Sequence, residues 1–215
     1  MIVLKFGGSI LDGPDGVRTL ARVVASTTGP RVVVVSAFAQ VTNRLEEIAL
    51  LATTDRSVAQ DERARLFDDH ERIAGSLFVD ESLRDWRDIV RPWRVRLDEI
   101  IEGLSLTAEL TPRTLDLVVS FGERLSSSLV LPILREIATV HHVPATALFV
   151  TNDRHRFALL QTGATGDNVD RLIRPFFATT AKDVHDRLLV TEGYVGRTFG
   201  GEVSTMGRES SDFSA

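Results

Sequence analysis

Residues 1–6 are apolar except for Lys5, the pattern breaks at Gly7-Gly8, and apolar side chains return at Val17, Leu20, Ala21 and Val24. The first segment predicts a strand and the second the buried face of a helix, with Pro14 suited to its first turn. Gly29-Pro30 closes that helix, and residues 31–37 read RVVVVSA, a continuous β-branched run rather than an alternation. Such a strand is covered on both faces, which is the signature of a parallel sheet in an α/β fold. Open α/β sheets place their ligands beyond the C-terminal ends of the strands. A helix carrying Leu45, Ile48, Ala49 and Ala52 follows, and Asn43 with Glu46 three residues on reads as its N-terminal capping pair.

Residues 57–104 carry a helical pattern throughout. In the second half, Leu83, Trp86, Val90, Trp93, Leu97, Ile100 and Leu104 step alternately by three and four, a narrow seam for packing along another helix. Pro92 within it predicts a kink or break, and His70, among acidic neighbours, reads as part of a solvated face. Thr111-Pro112 opens another helix with Leu115, Val118 and Val119 on its buried side. Ser120-Phe121-Gly122-Glu123-Arg124 then interrupts the pattern. A mid-helix glycine costs about 1 kcal/mol relative to alanine, so a packing or ligand reason is expected there. Glu123 is the first carboxylate candidate, with a surface ion pair to Arg124 as the alternative. Residues 147–150 read as a strand, residues 151–155 as the loop after it, and residues 161–168 as a linker into a short helix. Residues 187–196 read as the last strand, leading to a turn at Gly200-Gly201.

The 215 residues, 43% of them apolar, suffice for one large domain. A net charge of -5 without a long basic run argues against nucleic acid as a partner. The absence of cysteine removes disulfides, thiolate metal sites and cysteine nucleophiles. No metal site is expected, since His141-His142 lacks a third ligand at suitable spacing. No uncharged apolar run approaches the ~18 residues needed to span a bilayer, and no signal peptide is recognisable, so a cytoplasmic protein without a membrane partner is expected.

The order of strand, lysine, two glycines and a hydroxyl in Lys5-Phe6-Gly7-Gly8-Ser9 suits phosphate. Adjacent glycines let backbone N–H groups turn toward an anion, and the lysine supplies a point charge. Neither a Walker motif nor GxGxxG is present. A tight turn is the alternative for the glycines, and capping is the alternative for Ser36, Thr42 and Asn43.

Taken in order, Lys5-Phe6-Gly7-Gly8-Ser9, Val35-Ser36-Ala37 with Val41-Thr42-Asn43, Phe121-Gly122-Glu123-Arg124-Leu125-Ser126, Gly193-Tyr194-Val195-Gly196, and Gly207-Arg208 with Ser211-Asp212 resemble aspartate kinase. The resemblance covers essentially the whole chain. It implies an amino-acid-kinase fold, a three-layer αβα sandwich around a mainly parallel sheet, here truncated. It also implies transfer of the ATP γ-phosphoryl group to the side-chain carboxylate of L-aspartate, with Mg2+ as the nucleotide's counter-ion, as a step of amino-acid biosynthesis. By the same resemblance Lys5 holds the phosphoryl group, Asp212 orients Lys5 rather than acting as a base, Phe6, Gly7, Gly8 and Ser9 surround the phosphates, and Ser36, Thr42, Glu123, Arg208 and Ser211 bind the substrate. Glu123 would take its ammonium and Arg208 its α-carboxylate.

Ile10 stands where the family usually has a second hydroxyl, and Glu209-Ser210 where it often has two glycines. In the family, the rest of the kinase domain with most of the nucleotide site, and the regulatory ACT domains, lie downstream of the matching region. Residues 1–215 are therefore assigned to the acid-binding N-terminal portion, which alone is expected to be inactive. The last strand is expected to present a bare apolar edge or face, leaving these residues poorly soluble or hiding that surface in a dimer or domain-swapped assembly, so a homo-oligomer is expected. Kinases of glutamate, acetylglutamate or a nucleoside monophosphate, and a non-catalytic half-kinase module, are the alternatives. Glu123 favours a free amino acid.

Overall fold

A computed structural model describes residues 1–178, 187–207 and 214–215. The main sheet comprises β1 (Ile2–Phe6), β2 (Arg31–Val35), β3 (Thr139–His142) and β5 (Arg187–Glu192), in the order β1-β2-β5-β3 with every pairing parallel. Every residue of β2 is buried, as its β-branched run requires of a strand covered on both faces. A second sheet joins β4 (Val150–Thr151), β6 (Val195–Thr198) and β7 (Val203–Thr205), the last two forming the hairpin turned at Gly200-Gly201.

Helix α1 (Gly13–Ser26) joins β1 to β2, with Pro14 in its first turn and Val17, Leu20 and Val24 buried. Its C-terminal carbonyls are capped from outside: the buried Arg31 guanidinium donates to the carbonyls of Val24 at 2.7 Å and Thr27 at 2.6 Å. A cation there satisfies both the orphan acceptors and the negative end of the helix dipole. Helix α2 (Val41–Ala52) lies against a long helical hairpin, α3 (Arg56–Leu77) and α4 (Asp80–Thr107). The seam of α4 is buried at Trp86, Val90, Leu97, Ile100 and Leu104, within the fold, and Trp86 Nε1 donates to Ser128 Oγ on α6 (Phe121–Arg135) at 3.0 Å.

Helix α5 (Pro112–Val119) runs into α6, and the combined 24 residues are apolar enough by composition to cross a membrane. The apolar window is 78% buried inside the protein, because α6 lies against β2, β3 and β5. Successive residues of a strand face opposite sides. On β3, His142 faces the α6 side, where Nε2 lies 2.7 Å from Glu192 Oε1, while His141 stacks on Phe176 of α9 (Arg174–Ala178) with ring centroids 5.0 Å apart. Helices therefore cover both faces of the parallel sheet.

Several sequence-based expectations are overturned. Asn43 does not cap α2: the N-cap is Gln40 at φ 63°, and Asn43, inside the first turn, donates to the Gln40 side chain at 2.7 Å. Helix α4 passes through Pro92 unbroken, since a proline removes only one helical hydrogen bond and the seam on either side stays packed. His70 is buried, with Nδ1 2.7 Å from the Leu66 carbonyl and its ring edge-on to Phe38, and burial lowers its pKa. Residues 147–150 are not one strand but the end of a helical turn, α7 (Ala145–Leu148), followed by β4. Residues 161–168 lie mainly in α8 (Thr162–Leu172) rather than in a linker. The predicted last strand is two strands, broken at Gly193-Tyr194 and belonging to different sheets. Its first half, β5, carries no bare edge, because β2 and β3 pair with it on either side and residues 188–192 are buried.

Candidate active site

Residues Phe6, Val35 and Glu192 stand in register across β1, β2 and β5, so the loops after these three strands open at one end of the sheet. The loops are tied together by main-chain hydrogen bonds: Ser36 N–H to the Phe6 carbonyl at 3.1 Å, Gly193 N–H to Val35 at 2.9 Å and Ala39 N–H to Leu11 at 3.0 Å. The Lys5 ammonium lies over the glycine turn, with Nζ 3.2 Å from where a Cβ on Gly7 would stand. Phe6 buries its ring in the core, and Ser9 is exposed.

A cleft of about 210 Å³ opens at this end of the sheet, and Gly8, Ser36, Thr42 and Glu123 all line it. Four residues chosen from separate sequence motifs thus share one cavity beside Lys5. Phe38, Gln40, Asn43 and Tyr194 also line it; the sequence leaves Asn43 open between capping and ligand binding, places Tyr194 in a motif of the resemblance without a role of its own, and carries no ligand-binding signal at Phe38 or Gln40. The recurrent signal at two of them is backbone geometry: Gln40 and Tyr194 hold φ of 63° and 65°, the left-handed region uncommon for residues with side chains. Arg208, Ser211 and Asp212 lie outside the described residues.

Glu123 sits in the first turn of α6, 3% exposed, and accepts the Ala37 N–H at 3.3 Å through Oε1, while Oε2 has no hydrogen-bond partner among the described residues. Burial pushes its pKa up to about 8, against the opposing pull of the Glu123 and Ala37 N–H groups, and the charge of Glu192 adds to the rise. The surface ion pair with Arg124 does not form; Arg124 lies over the Phe121 ring, 5.5 Å from its centroid. Glu192 behaves oppositely: burial opposes its ionisation, yet His142 and the Ala145 N–H at 2.7 Å outweigh this and hold its pKa below the usual range.

Gly122 accounts for the interruption in the helical pattern. A Cβ there would come within 2.9 Å of Ala37 Cβ and 3.3 Å of Val41 Cγ1, so α6 meets the β2 loop only with glycine at this position. Gly122→Ala is expected to destabilise the protein by about 1–3 kcal/mol through overpacking, and to displace the Ala37 N–H from Glu123. Chemical denaturation checks the first effect; a loss below about 0.5 kcal/mol would show that the contact yields easily.

Behind the cleft, the fully buried Asp116 on α5 gathers the loop at residues 152–156 and strand β7. Its carboxylate accepts from His155 Nδ1 at 2.8 Å, the Arg156 N–H at 3.1 and 3.2 Å, the Thr205 N–H at 3.1 Å and the Thr205 hydroxyl at 2.6 Å. Arg156 also pairs with Glu46 of α2, and the Met206 N–H donates to the Tyr194 carbonyl at 3.0 Å. Asp116 thereby holds the strand that leads toward Arg208.

Among the described residues no group of three metal-ligating side chains is close enough to hold an ion. The site offers one carboxylic acid, hydroxyls, a glycine turn under an ammonium, and backbone N–H groups, a set that binds and positions charged ligands.

The Escherichia coli lysine-sensitive aspartokinase 3 is 29% identical over 218 residues, covering all of this chain and 45% of that protein. A Chlamydia trachomatis aspartokinase is 30% identical over 223 residues, covering all of this chain and 44% of its own length. The solved structure of E. coli aspartokinase III in complex with lysine and aspartate superposes with a TM-score of 0.86 at 25% identity, again over all of this chain and 45% of that one. The complex of the same enzyme with aspartate and ADP gives 0.85. The chain thus spans just under half the length of these relatives. The model of the amino acid kinase family matches residues 1–215, and with the parallel sheet and the loop cluster at its C-terminal ends this establishes that the chain belongs to the amino acid kinase family.

Proposed function

We propose that this chain is the acid-binding portion of an aspartokinase, which transfers the ATP γ-phosphoryl group to the side-chain carboxylate of L-aspartate. The observation that carries the reading is Glu123, a buried carboxyl in the same cleft as Ser36 and Thr42, beside the Lys5 and glycine turn. A buried acid with one oxygen unpartnered among the described residues supports the role of counter-charge for an ammonium, which an N-acetylated or nucleotide substrate lacks. The relatives in both the sequence and the structural comparisons are aspartokinases, and one was solved with aspartate and ADP.

A carboxylate nucleophile of pKa about 4 is already ionised at neutral pH, so no general base is required, and positioning with charge neutralisation does the catalytic work. We assign the phosphate oxygens to Lys5 and the N–H groups of Gly7 and Gly8. Ser36 and Thr42 are assigned hydrogen bonds to the amino acid, and Glu123 its ammonium. We assign the α-carboxylate to Arg208, a further substrate hydrogen bond to Ser211 and the orientation of Lys5 to Asp212. ATP fits the Lys5 and glycine turn through its phosphates, and Mg2+ supplies charge neutralisation there as their counter-ion. The further length of the relatives is assigned the nucleotide-binding remainder and the ACT domains, so catalysis in the cytoplasm belongs to the whole enzyme and residues 1–215 alone bind aspartate without turnover.

Calorimetry with L-aspartate and N-acetyl-L-aspartate tests the reading: aspartate binds and the acetylated compound binds at least tenfold more weakly. Lys5→Ala keeps aspartate affinity within about threefold, and in the whole enzyme lowers turnover by at least tenfold, about 1.4 kcal/mol of transition-state stabilisation. Equal binding of the two ligands would remove Glu123 from the role given to it.

A further inference from the structure

On the other side of Glu123 lies a second cavity, about 370 Å³, between α4, α6 and the turn at residues 142–146. Its size falls in the range of small-molecule sites. Trp93, Leu131 and Pro132 form an apolar wall, and Arg124, Ser127 and His142 bring polar groups to it.

Arg124 is the unusual member. Its guanidinium is half-buried, and burial lowers its pKa, yet among the described residues it makes no ion pair and donates no side-chain hydrogen bond; it lies over the Phe121 ring and feels the charge of Glu192. Glu192, whose charge acts on Arg124, has its oxygens engaged by His142 and the Ala145 N–H. Glu123, with its pKa raised to about 8, is neutral below that pH. Ser127 is 3% exposed and its hydroxyl has no partner among the described residues. Leaving a buried hydroxyl and a half-buried guanidinium unmet is costly, on the order of 1–3 kcal/mol for a buried polar group, and both line the same space.

We propose that this cavity is a binding site for a small monocarboxylate with an aryl or branched apolar body. The carboxylate pairs with the Arg124 fork and the Ser127 hydroxyl, and the apolar body lies along Trp93, Leu131 and Pro132. Guanidinium–carboxylate pairing is bidentate and charge-assisted. Glu192 at the edge of the same cavity disfavours a second negative charge on the ligand, and a phosphate dianion has no apolar body to lie along the wall.

Trp93 makes the site observable, since the protein's other tryptophan, Trp86, is buried against Ser128. Phenylacetate, titrated into the 215-residue protein, is expected to change the tryptophan emission saturably and to give a matching calorimetric isotherm. Phenylacetamide, the neutral isostere, and inorganic phosphate are each expected to bind at least tenfold more weakly. Arg124→Gln, checked for native circular dichroism, is expected to weaken phenylacetate at least tenfold and Ser127→Ala severalfold. Thr42→Ala, which alters only the neighbouring cleft, leaves phenylacetate affinity unchanged. The amide comparison requires no variant, so a misfolded Arg124→Gln does not protect the idea. Absence of saturable calorimetric binding, equal affinity for amide and acid, or a weakened titration in Thr42→Ala would each overturn the assignment.

Discussion

Glu123→Gln is expected to make the protein more stable at pH 8 and less able to bind an amino acid. In the folded protein, burial pushes the Glu123 pKa up to about 8, against an ordinary value of 4.5. Between those values the unfolded chain has released the proton and the folded chain retains it, so unfolding releases a proton and stability falls as pH rises. The gap corresponds to about 5 kcal/mol, fully present as a penalty once the pH exceeds about 8 and absent below about 4.5. Glutamine keeps an oxygen for the Ala37 N–H and never ionises. Urea denaturation of the two proteins across a pH series should therefore show equal stability near pH 4.5 and a widening advantage of the variant up to pH 8. A difference independent of pH would exclude the buried acid as its cause.

The binding consequence has the opposite sign. An ammonium ligand favours the ionised carboxylate, and below pH 8 the empty site must give up its proton to pair with it. While the ligand's amine stays protonated, aspartate affinity is expected to rise by up to about tenfold per pH unit toward pH 8. Glu123→Gln should bind more weakly with a flat profile. Stability is thus lower at the place where the counter-charge is held, as expected of a functional site.

Asp116→Ala is expected to cost about 3–5 kcal/mol, because it removes the acceptor shared by His155, Arg156 and Thr205 and leaves their N–H and O–H groups buried without partners. Asp116→Asn, which keeps one acceptor oxygen, should cost less. Since β7 and Tyr194 are tied to this centre through Thr205 and Met206, the alanine variant should also weaken aspartate in proportion to the disorder of that hairpin. Denaturant midpoints check the energy; a loss below 1 kcal/mol would mean that water replaces the carboxylate without difficulty.

The sequence by itself determined what depends on near neighbours in the chain. The β-branched run at residues 31–35 marked a strand covered on both sides, Lys5 near the end of β1 and the glycines after it marked a turn suited to phosphate or simply a tight one, and the three-four stepping of α4 marked its buried seam. Placing the candidate ligands at the C-terminal ends of parallel strands followed from the same logic, and Gly8, Ser36, Thr42 and Glu123 do share a cleft.

Tertiary structure decided everything that depends on partners far along the chain. Asp116 meets residues 39 to 89 positions away, and no periodicity marks such a centre. His70 is buried despite its acidic neighbours because α3 turns that face toward Phe38. Residues 187–192 form an inner strand because β3, nearly fifty residues earlier, pairs beside them. The state of Glu123 was equally out of reach, since a carboxyl takes its pKa from the space around it. Local pattern sets which face of an element is apolar, but the cost of a polar group is set by what the fold brings to it.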